Sequence, residues 1–121
     1  KYAWYARYNK PTAQEAFNVV KNAIIKIATN ASNGNFEVLD TITELGEGYR
    51  WKIAFLYSNN QLIPIYKKDM LVQLATHFGL AGAKAMPISK LQAFLMQQKG
   101  DKDIFDYYEE LLTILKELDY V

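Results

Sequence analysis

The stretch Tyr49-Arg50-Trp51-Lys52-Ile53-Ala54-Phe55-Leu56-Tyr57, followed by Ser58-Asn59-Asn60-Gln61 and then Leu62-Ile63-Pro64-Ile65-Tyr66, decides how the rest of the chain is read. Alternation with period two places Trp51, Ile53, Phe55 and Tyr57 on one face and Arg50, Lys52, Ala54 and Leu56 on the other. With the short polar connection between the two apolar runs, the pattern predicts an antiparallel hairpin over 50–57 and 61–66. Trp51, Ile53 and Phe55 face the core, and Arg50 and Lys52 line a positive outer face. Pro64 has no amide hydrogen, so the second strand belongs at a sheet edge or at a bulge.

Upstream, Thr12 and Glu15 have capping-box spacing, and Phe17, Val20, Ile24 and Ile27 recur at helical intervals until Gly34, predicting a long N-terminal helix. Residues 36–39 read as a short strand, and 43–48 as a turn or loop. The opening residues 1–8 end at the breaker Asn9-Lys10-Pro11 and read as a strand or an irregular arm. Downstream, Leu71, Leu74, Ala75 and Phe78 form a helical stripe closed by Gly79, and residues 80–87 form a loop. Ser89 and Gln92 stand as a second capping-box pair before Leu91, Phe94 and Leu95. Asp101 or Asp103 caps a last helix carrying Phe105, Tyr108, Leu112 and Leu115. The expectation is one α+β domain over 1–121: a long N-terminal helix, a small antiparallel β-sheet and three C-terminal helices.

Half of the 121 residues are hydrophobic, enough for one core and too many for a disordered chain. No apolar run approaches the roughly 20 residues that cross a bilayer, and there is no secretory leader pattern at the N-terminus. The absence of cysteine removes disulfides and thiolate metal sites and fits a reducing cytoplasm. The chain starts at Lys1 and ends in a helix-like pattern with no stop signal, so it is expected to be part of a longer multidomain protein.

The formal charge of +1 hides an asymmetry. Residues 49–100 carry seven Lys/Arg against the single acid Asp69, a net of +6, whereas 101–121 carry two lysines against seven acids, a net of −5. The middle suits phosphates and the tail does not.

The chain has no phosphate-binding G-x-x-x-x-G-K-[ST] loop, no G-x-S-x-G elbow and no H-E-x-x-H pair, so no catalytic residue is assigned and no cofactor is expected. The lone His77 sits at a helix end, where a cation suits the helix dipole. Asp101, Asp103 and Asp106 lack the glycine and the distal glutamate of an EF-hand, and read as helix-capping acids rather than a metal site. The candidate DNA-binding residues are Arg50, Lys52, Lys67, Lys68 and Lys84. Trp4, Tyr5, Tyr8 and Tyr49 are candidates for stacking on bases, the first three alternatively packing onto the domain.

Trp4-Tyr5, the Ala16-Phe17 helix, the run Trp51-Lys52-Ile53-Ala54-Phe55-Leu56-Tyr57 and Ile63-Pro64-Ile65-Tyr66 together resemble the region upstream of the motor in McrB-like restriction proteins. The resemblance implies a noncatalytic DNA-recognition module in the cytoplasm, followed in the same chain by an AAA+ motor that works with a nuclease subunit. The alternative it leaves open is a protein-interaction adaptor that couples target recognition to the motor or nuclease, a role the acidic amphipathic last helix would suit.

Overall fold

The structure, a computed structural model, describes residues 13–118. The expectations for Trp4, Tyr5, Tyr8 and the Thr12 cap lie outside them. The described residues form α1 (Ala13–Ser32), α2 (Phe36–Leu39), α3 (Glu47–Tyr57), α4 (Lys68–His77), a short 3-10 turn (Ala83–Ala85), α5 (Ile88–Lys99) and α6 (Ile104–Glu117). There is no β-strand among them, so the α+β expectation is wrong and the domain is helical.

The correction turns on residues 49–57, whose apolar side chains satisfy two periods at once. As a strand, 51, 53, 55 and 57 share a face. As a helix, Trp51, Ala54 and Ser58 do, and these three are the residues buried, together with Arg50. Ile53 and Phe55 are only partly buried, and Tyr57 is exposed. Composition does not decide between them: Tyr49, Trp51, Ile53, Phe55 and Tyr57 favour strands, and Arg50, Lys52, Ala54 and Leu56 are good helix formers. Packing favours the helix, because α3 lies against α1 and both helices bury alanines, Ala54 on one and Ala16, Ala23 and Ala31 on the other. Small side chains where two helices meet let them approach closely.

The connection after α3 does have hairpin-turn chemistry. Gln61 N–H donates to the Ser58 carbonyl at 3.2 Å, and Asn59 and Asn60 both have positive φ, 56° and 63°. Those are the φ signs of a type I′ turn, and asparagine tolerates the left-handed region better than most residues. Here the turn joins a helix to an irregular extended segment. Within residues 62–66, Ile65 N–H donates to the Ile63 carbonyl at 2.8 Å, and one side chain supplies further partners. Ile63 N–H donates to Gln92 Oε1 at 2.8 Å, and Gln92 Nε2 donates to the carbonyls of Ile63 (3.2 Å) and Ile65 (3.1 Å). The buried amide of Gln92 thus takes the place of a neighbouring strand, and Leu62, Ile63 and Ile65 join the core.

Residues 36–39, expected as a strand, are the single-turn helix α2. Gln92 and Ser89 do not make a capping box either, because α5 starts after Pro87 and both side chains bond to other segments. On α1 the inward face is Ala16, Ala23, Ile27 and Ala31, while Phe17 and Ile24 are exposed. Two glycine stops end helices through the same motif. Asn35 N–H donates to Asn30 O and Gly34 N–H to Ala31 O, and the same pattern recurs from Leu80 to Ala75 and from Gly79 to Thr76. Both glycines have positive φ, 76° and 94°, as this C-terminal motif requires.

The core is continuous. It gathers Trp51, Leu39, Ile42, Ile63, Leu71, Leu74, Leu91, Leu95, Tyr107 and Leu111, with α4 packed on both α5 and α6. No helix among the described residues is long and apolar enough to cross a membrane.

Candidate nucleic-acid interface

The basic residues do not share one surface. Arg50 is turned inward and only 8 % exposed. Its Nη1 donates to the carbonyls of Leu39 at 3.2 Å and Ile42 at 2.5 Å, where α2 ends. Carbonyls at a helix end have no partner within the helix, and a guanidinium supplies several donors at once. Arg50 is therefore a structural cation that ties α3 to the end of α2. Its Nε is buried without a hydrogen-bond partner, as is the indole Nε1 of Trp51 beside it.

Lys68 and Lys84 are brought together. Lys68 is the first residue of α4, and Lys84 sits in the 3-10 turn that follows Gly82, whose φ of 74° lets the chain fold back. Both line an open cleft of about 520 Å³ with Asp69, Val72 and Gln73. The first turn of α4 borders this cleft, so its backbone amides add to the positive field while the Asp69 carboxylate subtracts from it. Lys67 is exposed at the residue preceding α4.

Lys52 and Tyr49 are both exposed on the outer side of α3, and neither lines this cleft. His77 is exposed at the last turn of α4, its ring edge-on to Phe78 at 5.3 Å. Asp103 caps α6, its carboxylate accepting from Phe105 N–H at 3.0 Å and Asp106 N–H at 3.3 Å. No group of three or more His, Cys, Asp or Glu side chains placed to hold a metal ion occurs among the described residues.

A polar junction that charge counting misses lies nearby. Asp40, just after α2, accepts from Ser89 N–H at 3.2 Å and from the Ser89 hydroxyl, so a carboxylate from a distant segment serves the first turn of α5. Asp40, Glu47, Arg50, Trp51 and Lys68 also line a smaller recess of about 200 Å³ that reaches Pro87 and Ile88. Two cations and two anions share that recess, whereas Lys68 and Lys84 outnumber Asp69 in the larger cleft. Nothing in the local pattern around Asp40 or Ser89 signals their pairing across 49 positions.

The architecture defines the class: the described residues form a small helical domain with a basic cleft between the start of α4 and the turn before α5. No family model matches the chain, and neither does any curated protein or solved structure.

Proposed function

We propose that the chain is a noncatalytic DNA-recognition module of a McrB-like restriction ATPase or GTPase, with the phosphate backbone held at the cleft of Lys68 and Lys84. The observation that carries this reading is the convergence of those two lysines, distant in sequence, on one open cleft beside a helix N-terminus. Lys67 extends the positive edge, and Arg50 is withdrawn from the DNA-binding set because its guanidinium serves the fold. In this reading the chain lies in the cytoplasm and works with an AAA+ motor and a nuclease subunit, as the McrB-like resemblance implies. The adaptor reading draws its support from apolar side chains exposed on α3 and α6.

Fluorescence anisotropy on methylated and unmethylated duplexes across a salt series tests the proposal. Replacing Lys68 and Lys84 by Gln should weaken binding to all sequences alike. It should also flatten the log–log salt slope by about 0.9 for each phosphate that is no longer neutralised. No binding of the wild-type chain at low salt would overturn DNA recognition, and an unchanged slope in the double variant would overturn this cleft as its site.

A further inference from the structure

Among the described residues, the two most exposed large apolar side chains, Tyr49 (71 %) and Leu56 (67 %), stand on the outer face of α3. They are two helical turns apart, and Lys52 lies between them at helical spacing from both, so the three form one row along the helix. Phe55, next to Leu56, carries this surface to α6, where its ring meets Phe105 edge-on at a centroid distance of 6.4 Å. Phe105 is itself 53 % exposed. Glu109 follows it by one turn on the same side of α6. Neither Lys52 nor Glu109 has an ion-pair partner among the described residues, where the salt bridge is between Lys102 and Glu110. The surface therefore has a free cation on its α3 flank, an aromatic middle and a free anion on its α6 flank.

We propose that this face is a two-fold interface between two copies of the chain. A symmetric dimer needs a patch complementary to itself. With a two-fold axis through the Phe55 and Phe105 region, the Lys52 flank of one copy lies against the Glu109 flank of the other, and the apolar rows of Tyr49 and Leu56 are covered. A partner with charge of a single sign would leave either Lys52 or Glu109 facing like charge, which opposes association. The inference does not rest on the DNA reading, since none of these residues lines the cleft of Lys68 and Lys84.

Sedimentation equilibrium on the 121-residue chain over a concentration series tests it, with circular dichroism confirming that each variant is folded. The mass should rise from 13.9 kDa toward twice that value. Leu56→Asp should hold the chain monomeric. Lys52→Glu and Glu109→Lys should each weaken association about tenfold, and the double exchange should restore it, because the two charges meet across the axis. A wild-type chain monomeric at every concentration would overturn the proposal. So would dimerisation unaffected by Leu56→Asp, or a double exchange no tighter than the single variants.

Discussion

The side-chain amide of Gln92 pairs with the backbone of Ile63 on both its edges, accepting from the Ile63 N–H and donating to the Ile63 carbonyl. With its third bond to Ile65, it fixes an extended segment to a helix where a hairpin partner was expected. Gln92→Leu keeps much of the volume but strands the Ile63 N–H and the Ile65 carbonyl away from water, while the Ile63 carbonyl keeps its bond from Ile65 N–H. We expect a loss of about 2–4 kcal/mol, since each buried unsatisfied group costs about 1–3 kcal/mol. Denaturant unfolding measures it. A loss below about 0.5 kcal/mol would be within the range of an ordinary surface change and would contradict the pairing.

Arg50 separates structural from ligand-binding charge. Arg50→Gln should destabilise the fold by about 2–3 kcal/mol, because the carbonyls of Leu39 and Ile42 lose a charged donor. At a temperature where the variant is fully folded, it should bind DNA as the wild type does, with the same salt slope. A stable Arg50→Gln protein with weakened DNA binding would reverse this assignment.

The helices were legible where a single period and a glycine stop agreed. Gly34 and Gly79 close α1 and α4 as their spacing predicts, because no other residue takes a positive φ so readily. Residues 49–57 were not legible, because alternation and helical spacing both place Trp51 inward and differ in its companions, Ile53, Phe55 and Tyr57 in the one and Ala54 and Ser58 in the other. The pair Asn59-Asn60 correctly marks a left-handed turn but does not specify what flanks it. Arg50 misled for a related reason: charged side chains are rarely buried, and its partners are backbone carbonyls, invisible to any reading of side-chain types. The convergence of Lys68 with Lys84 depends on the chain reversing between Gly79 and Gly82, a tertiary event that net charge cannot locate.

Asp40 and Ser89 offer a separable test of how α5 is anchored. Asp40→Ala should destabilise by about 1–2 kcal/mol, the scale of losing a helix cap. In a Ser89→Ala background the same change should cost less, because the hydroxyl bond is already gone while the Ser89 N–H still needs its acceptor. Strictly additive losses in that double-mutant cycle would show that the two side chains do not interact.

Tyr107 should make the fold sensitive to alkali. It is fully buried, and its hydroxyl donates to the Leu95 carbonyl at 2.6 Å, tying α6 to α5. Burial, with a smaller contribution from the Glu110 carboxylate, pushes its pKa up from 10.0 to about 12. The protonated phenol is thus the form the folded state prefers. Its contribution is fully present below pH 10 and is lost as pH rises from there through about 12, where the unfolded chain ionises first. Thermal midpoints measured from about pH 8 upward should therefore fall more steeply above pH 10 for the wild type than for Tyr107→Phe. At neutral pH that variant should be less stable by about 0.5–1.5 kcal/mol, the net worth of one hydrogen bond. Parallel pH curves for the two proteins would show that the buried phenol does not set the alkaline limit.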